Sequence, residues 1–210
     1  MSYLDARLYL VAPARLEAGW LHELVDELVD AGVDIVQLRE KTLEARDVMR
    51  LAEPIVAACR ASSVPFIVND RPDVALALGA DGVHVGQNDV PVAVARRVLP
   101  AGVIGLSTHS EPQVDAAASA RDRSDYIAVG PVYATPTKEG RPAAGLGVVA
   151  HAARRADAPW FAIGGIDKHN LSEVLATGAR RIVVVRAIAR APDPPAAAAE
   201  LRALLDEVAL

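Results

Sequence analysis

Two short polar segments of the chain carry the side chains best suited to chemistry. The first is Gln37-Leu38-Arg39-Glu40-Lys41 and the second is Asn69-Asp70-Arg71, and each directly follows an apolar run. In the first segment polar side chains alternate, so an extended backbone would point Gln37, Arg39 and Lys41 to one side. Guanidinium and ammonium groups beside a neutral donor suit a di- or triphosphate group. The alternative is a solvated strand end whose charges bind nothing.

Two carboxylates, Asp70 and Asp89, lie in neighbouring loops that also contain side-chain amides. Such hard oxygen ligands suit Mg²⁺, which usually shares its coordination with phosphate. Each aspartate could instead cap a helix, because a proline follows two residues later in both loops. Their position opposite the cations of the first segment favours the metal site.

A second anion site is predicted around Gly164-Gly165 and Val185-Arg186, which follow the last two apolar runs. In barrels of alternating strands and helices, the loops at these positions often bind phosphate. The alternative for the glycine pair is a tight turn. A monophosphate on one side and a metal-bound polyphosphate on the other suit the joining of two phosphorylated molecules with loss of pyrophosphate.

Other candidate polar residues lie in the middle of the chain. Residues 130–147 form a long polar segment with Thr135, Thr137 and Lys138, which is typical of a loop that covers a substrate; an ordinary mobile loop is the alternative. Ser107 lies close to His109, but no third, orienting group follows, so a catalytic triad is not predicted. His84 falls inside an apolar run and is interpreted as structural.

The elements that must position these residues are short apolar runs separated by amphipathic or alanine-rich stretches. Alternation of this kind predicts a parallel sheet, and eight units predict a single-domain (β/α)8 TIM barrel over residues 1–210. A doubly wound open sheet is the alternative, but it usually has fewer strands and a glycine-rich first turn. The predicted strands are Leu8–Val11, Ile35–Leu38, Phe66–Val68, Gly82–Val85, Val103–Leu106, Tyr126–Val129, Trp160–Ile163 and Ile182–Val185.

Composition excludes several classes of function. A net charge of −5 gives no basic surface for nucleic acid. The lone cysteine, Cys59, excludes an internal disulfide and lies in an apolar helical context, which predicts a packed thiol. No apolar run approaches the roughly 20 residues that span a bilayer, and no signal peptide is recognised. We therefore expect a cytoplasmic protein without a membrane partner; a homo-oligomer is compatible with the sequence.

With these motifs in order, the chain closely resembles the thiamine-phosphate synthase family from its first strand to its last helix. The resemblance implies a transferase that joins hydroxymethylpyrimidine diphosphate to a thiazole phosphate and gives thiamine phosphate and pyrophosphate. The motifs that carry it are the two polar segments above, residues 79–87 (GADGVHVGQ), Ser107-Thr108-His109, Gly130-Pro131, Thr135-Pro136-Thr137-Lys138, Ile163-Gly164-Gly165-Ile166 and residues 184–188 (VVRAI).

The resemblance also implies roles for single residues. Asp70 and Asp89 would bind the cofactor Mg²⁺, and Arg39, Lys41, Ser107 and Lys138 would be catalytic. The implied substrate-binding residues are Gln37, Leu38, Arg39, Glu40, Lys41, Asn69, Ser107, Thr135, Pro136, Thr137, Lys138, Gly165, Val185 and Arg186. Of these, Thr135, Thr137, Gly165, Val185 and Arg186 match the positions that hold the thiazole phosphate.

The family mechanism is dissociative, so pyrophosphate leaves before the thiazole nitrogen captures the pyrimidine cation. The chain departs from the family at Arg186, where many members carry Ser, which leaves open whether this side chain contacts the phosphate. Two other functions remain alternatives. A thiazole tautomerase would use a histidine such as His109 and no metal, and a sensor of phosphorylated ligands would need neither Lys138 nor the aspartate pair.

Overall fold

The strands and helices alternate along the chain, as the hydrophobic pattern predicts. The computed structural model describes residues 3–135 and 142–209, and the statements on structure concern these residues. The strands are β1 (Leu8–Ala12), β2 (Ile35–Leu38), β3 (Phe66–Asn69), β4 (Gly82–Val85), β5 (Val103–Thr108), β6 (Tyr126–Val129), β7 (Trp160–Ile163) and β8 (Ile182–Val184). The helices are α1 (Leu21–Asp30), α2 (Ala45–Ala61), α3 (Pro72–Leu78), α4 (Val92–Val98), α5 (Glu111–Ser119), α6 (Gly145–Arg155), α7 (Leu171–Ala176), α8 (Arg186–Ala189) and α9 (Pro194–Asp206).

The eight strands form a closed parallel barrel in sequence order, with β8 paired to β1. This confirms the predicted TIM barrel and rejects the open doubly wound sheet. All residues of β1, β2, β4 and β6 are buried, which explains why these strands are continuous apolar runs without alternation. Four ends differ from the prediction: β1 continues to Ala12, β3 to Asn69 and β5 to Thr108, and β8 stops at Val184 because Val185 begins the turn into α8.

Alternation along the strands divides the core into two layers. One layer lies between the barrel and the helices, and the other fills the barrel interior. In the interior, the rings of Tyr9, Tyr126 and Phe161 meet edge to face, with centroids 5.5–5.9 Å apart. Such pairs add to the stabilisation from burial. This aromatic layer lies directly below the end of the barrel at which the strands finish.

The opposite end of the barrel is held by three aspartates, each of which directly precedes an even-numbered strand. Each carboxylate accepts backbone N–H groups at the start of the preceding odd-numbered strand. The bonds to Asp34 come from Arg7 N (2.7 Å) and Leu8 N (2.9 Å), the bond to Asp81 from Phe66 N (2.8 Å), and the bond to Asp125 from Ile104 N (2.6 Å). Arg202 pairs with Asp34 at 3.1 Å, and Arg96 pairs with Asp125 at 2.6 Å.

Two expectations from composition can also be compared with the structure. Cys59 is buried, as predicted for a packed thiol, and burial together with the nearby Asp81 carboxylate raises its pKa to about 12. Within residues 3–135 and 142–209, no helix has both the length and the apolar character needed to cross a bilayer. The cytoplasmic location stays a prediction.

Candidate active site

A cavity of about 360 Å³ opens at the end of the barrel where the strands finish. It receives side chains from both halves of the chain, as expected for a site at this end of a parallel barrel. Eight of the predicted site residues line it: Gln37, Arg39, Asn69, Ser107, Thr135, Gly165, Val185 and Arg186. The predicted residues Pro136, Thr137 and Lys138 lie outside the described residues.

The polar segment after β2 divides between the cavity and its surroundings. Gln37 and Arg39 line the cavity, whereas the Leu38 side chain is buried in the outer core. Glu40 accepts a hydrogen bond of 2.8 Å from the N–H of Ala14, which ties the loop after β1 to this segment. Gln37 and Arg39 therefore share one side as predicted, whereas Lys41 is not among the lining residues; the Leu38 side chain faces away, so only its backbone could contact a ligand.

Lys41 and the two predicted metal ligands form one group beside the cavity. Lys41 Nζ lies 2.7 Å from Oδ2 of Asp70. Partial burial raises the pKa of the Asp70 carboxyl, the Lys41 ammonium group lowers it, and the neighbouring Asp89 carboxylate raises it again. Two carboxylates held close enough to repel each other are an arrangement that a divalent cation stabilises.

Neither aspartate of this group caps a helix. The N-cap residue of α3 is Arg71 and that of α4 is Pro91, and neither cap involves an aspartate side chain. Asp89 instead accepts a 2.7 Å hydrogen bond from the N–H of Gly86 in its own loop. Asp70 has a φ of 63°, a left-handed conformation that is uncommon outside glycine. The capping alternative is therefore wrong for both.

Asn69 contributes an unsatisfied donor at the same edge of the cavity. Its Nδ2 atom is the one buried side-chain nitrogen or oxygen without a hydrogen-bond partner among the described residues. Leaving such a group unpaired costs about 1–3 kcal/mol. A ligand oxygen in the cavity would remove this cost, so Asn69 indicates an acceptor-rich ligand.

The donor set beside the cavity fits Mg²⁺. Asp70 and Asp89 supply two carboxylates, and no cluster of three or more His, Cys, Asp or Glu side chains is found in the part of the chain that the structure describes. Mg²⁺ is commonly held by one or two carboxylates, with its other ligands taken from water and substrate phosphates. The residues present are therefore sufficient for a metal that is shared with a phosphorylated substrate.

The other side of the cavity carries the glycine pair and two arginines. A Cβ on Gly164 would stand 2.5 Å from Cβ of Pro131, so this glycine is required by the close approach of the segment after β6. Arg186 Nη2 lies 3.5 Å from Oγ1 of Thr135, and Arg190 lines the cavity as well. The helix α8 has only four residues, so its dipole adds little positive charge. Among the described residues that line this side, Arg186 and Arg190 supply the positive charge.

Sequence reasoning did not place two polar residues, Tyr9 and His84, in the cavity floor. Tyr9 lines the cavity with its hydroxyl accepting a 2.6 Å hydrogen bond from Nε2 of Gln37, and His84 lines it beside Ser107. Both residues lie inside apolar strands, and a polar tip within such a strand is the signal that could have found them. His109 is not among the described lining residues; its Nδ1 lies 2.5 Å from the Gly130 carbonyl oxygen.

Comparison with known proteins gives one consistent result. The family model described as "Thiamine monophosphate synthase" matches residues 8–188. The chain is 55% identical over 206 residues to the thiamine-phosphate synthase of Acidothermus cellulolyticus, covering 97% of both chains. It is 52% identical to the thiamine-phosphate synthase of Thermus thermophilus, covering 97% of this chain and 98% of that one. The solved thiamine phosphate pyrophosphorylase of Pyrococcus furiosus superposes with a TM-score of 0.87 at 33% identity, covering 97% of both chains.

Proposed function

Because this chain belongs to the thiamine monophosphate synthase family, we propose that it joins hydroxymethylpyrimidine diphosphate to a thiazole phosphate with Mg²⁺ and a dissociative mechanism. Membership makes the chain a transferase, because its relatives are named thiamine-phosphate synthase. The proposal on substrates and mechanism is supported by one observation: two sides of a single cavity carry groups suited to bind anions. One side has Arg39, Asn69 and the aspartate pair beside it, and the other has Arg186 and Arg190.

The first side is suited to a diphosphate. Arg39 offers a planar guanidinium group, and Ser107 and Asn69 offer neutral donors from two further strands. When bound between Asp70 and Asp89, Mg²⁺ would supply positive charge to the departing pyrophosphate. Lys41 lies next to Asp70 and adds a cation at the same place.

The second side is suited to a monophosphate. Arg186 and Arg190 bring two guanidinium groups to it, and the Arg186–Thr135 contact holds one of them at the cavity wall. We assign the contact that the sequence left open to the Arg186 side chain itself. A thiazole phosphate anchored here would present its ring nitrogen toward the diphosphate side.

The chemistry proposed for the cavity needs no protein nucleophile. The carbon–oxygen bond of the pyrimidine diphosphate breaks, and its electron pair leaves with pyrophosphate. The lone pair of the thiazole nitrogen then forms the new carbon–nitrogen bond. The residues of this chain neutralise the leaving group and hold the two reactants in line, which are the two contributions that such a reaction requires.

A tautomerase is the closest alternative, and the site does not favour it. Such an enzyme needs a proton carrier at the thiazole ring, but His109 is not among the residues that line this cavity, and its Nδ1 atom bonds the Gly130 carbonyl oxygen. The aspartate pair beside Lys41 would also have no task in proton transfer alone.

The test is a two-substrate assay in which each component is omitted in turn. We expect pyrophosphate release only when the pyrimidine diphosphate, the thiazole phosphate and Mg²⁺ are all present. Chelation by EDTA should stop turnover, and added Mg²⁺ should restore it. Turnover that persists in EDTA would overturn the metal-assisted mechanism, and release that does not need the thiazole phosphate would overturn the condensation.

A further inference from the structure

A chain of hydrogen bonds crosses the barrel below the cavity and joins two predicted substrate-binding residues. Gln37 Nε2 donates to the Tyr9 hydroxyl at 2.6 Å, and the Tyr9 and Tyr126 hydroxyls are 2.9 Å apart. The Tyr126 hydroxyl lies 3.0 Å from Nδ1 of His84, whose Nε2 lies 2.9 Å from Oγ of Ser107. The chain therefore links β2 to β5 through β1, β6 and β4. We call Tyr9, Tyr126 and His84 the relay.

The surrounding backbone and rings are arranged so that this relay can form. A Cβ on Gly105 would overlap the Tyr126 ring and stand 2.5 Å from Nδ1 of His84, so no other residue leaves room for this crossing. Phe161 packs edge to face on both tyrosine rings, at 5.6 and 5.5 Å. All three relay side chains are buried, and buried hydrogen-bonded groups of this kind are rigid and strengthen one another.

Counting protons gives the relay a direction. Burial raises the pKa of both tyrosine hydroxyls far above the neutral range, so each keeps one proton. With Gln37 donating to Tyr9, every hydroxyl proton has an acceptor when Tyr9 donates to Tyr126 and Tyr126 donates to Nδ1 of His84. In this arrangement Nε2 of His84 donates to Ser107. The hydroxyl proton of Ser107 is left to point into the cavity.

We infer that Tyr9, Tyr126 and His84 are positioning residues that orient Ser107 as a hydrogen-bond donor toward the leaving pyrophosphate. The inference rests on the proposed function, since a diphosphate offers only acceptors where it meets Ser107. Without the relay, the Ser107 hydroxyl could turn its proton to His84 and face the diphosphate with lone pairs. The relay would thus make one neutral donor permanently available to a charge that develops during the reaction.

The test is a double-mutant cycle on Tyr126 and Ser107. Tyr126→Phe removes the hydroxyl but keeps the ring, and we expect it to lower kcat about 10-fold, the size of one hydrogen bond to a charged group. In a Ser107→Ala background the same change should cost less than about twofold, because the relay acts through Ser107. Equal losses in the two backgrounds would overturn the proposal.

A binding measurement makes the test independent of turnover. The affinity for inorganic pyrophosphate with MgCl₂ is measured by calorimetry for the same four proteins. We expect the same non-additive pattern as for kcat. If the wild-type chain releases no pyrophosphate from its two substrates, the proposed function fails, whereas additive losses in a protein that turns over overturn only the relay.

Two further variants separate orientation from packing. Phe161→Leu disturbs the same aromatic layer without touching a hydroxyl, so it should lower the midpoint of thermal unfolding and change kcat equally in the two backgrounds. Tyr9→Phe interrupts the relay one step earlier and should repeat the Tyr126→Phe pattern. Failure of both tyrosine variants to fold would assign the hydroxyls to stability and overturn the proposal.

Discussion

The two ends of the barrel use the same residue, aspartate, in opposite ways. At the end where the strands start, the carboxylate of Asp34 accepts two backbone N–H groups and pairs with Arg202. At the end where the strands finish, Asp70 has a left-handed backbone, and burial, together with the Asp89 carboxylate, raises its pKa. At the first end the fold supplies the donors for the carboxylate, whereas at the second end one ammonium group, that of Lys41, faces two carboxylates and leaves negative charge for a ligand cation.

The difference shows how stability and function are separated in this fold. Asp34 is 3% exposed, and its hydrogen bonds join the first two strands to the last helix. Next to Asp70, by contrast, Asn69 keeps a buried amide without a partner. A barrel can keep such an unsatisfied group at one end when contacts at the other end, such as those of Asp34, stabilise the fold. Three substitutions test this division, from the largest expected effect to the smallest.

Asp70→Asn should remove activity and spare the fold. Asparagine also tolerates the left-handed conformation, and the change relieves the repulsion from Asp89 while it removes a metal ligand. We expect kcat/KM to fall about 100-fold or more, with the midpoint of thermal unfolding unchanged or raised. Asp89→Asn is the companion variant. Wild-type rates in both would show that these carboxylates hold no catalytic metal.

Asp34→Asn should lower stability and spare activity. The N–H groups of Arg7 and Leu8 bond one oxygen, which the asparagine carbonyl can replace, but its NH₂ group would face the Arg202 guanidinium and lose the ion pair, at a cost of about 1–3 kcal/mol. Urea unfolding should show this loss, while kcat stays within about twofold at a temperature where the variant is folded. A large loss of kcat at unchanged stability would contradict the separation of the two ends.

Arg186→Ser should weaken the binding of one substrate only, the thiazole phosphate. Loss of a charge-assisted contact to the phosphate should raise KM for the thiazole phosphate about 10-fold, and KM for the pyrimidine diphosphate should stay the same. Steady-state kinetics with each substrate varied in turn measures both values. An unchanged KM for the thiazole phosphate would place that contact on backbone N–H groups near Gly164 and Gly165 instead.

Local patterns were enough to predict the strands and eight of the residues that line the cavity. Parallel strands buried on both faces must be apolar runs, and the residue after such a run must lie at the end of the barrel, so Gln37, Asn69 and Ser107 could be placed from sequence. Helix capping by Asp70 and Asp89 could be rejected only with the structure, because the start of α3 and α4 depends on backbone angles.

The relay could not be found from the sequence for a different reason. Tyr9 and Tyr126 are 117 residues apart and meet only across the barrel interior. A tyrosine inside an apolar strand is usually core, and nothing in its neighbours shows where its hydroxyl points. The same holds for His84, whose bond to Ser107 in the cavity its sequence neighbours do not indicate. Contacts across the interior of a barrel can be identified only when the order and pairing of its strands are known.

Pairing of β1 with β8 has a consequence for the order of events during synthesis. The first strand leaves the ribosome well before its second neighbour, which ends at Val184. Until then, the β1 edge that will carry Tyr9 into the cavity has only β2 beside it. Nascent chains of this protein should therefore remain inactive, and exposed to chaperones and proteases, until almost the whole sequence has emerged.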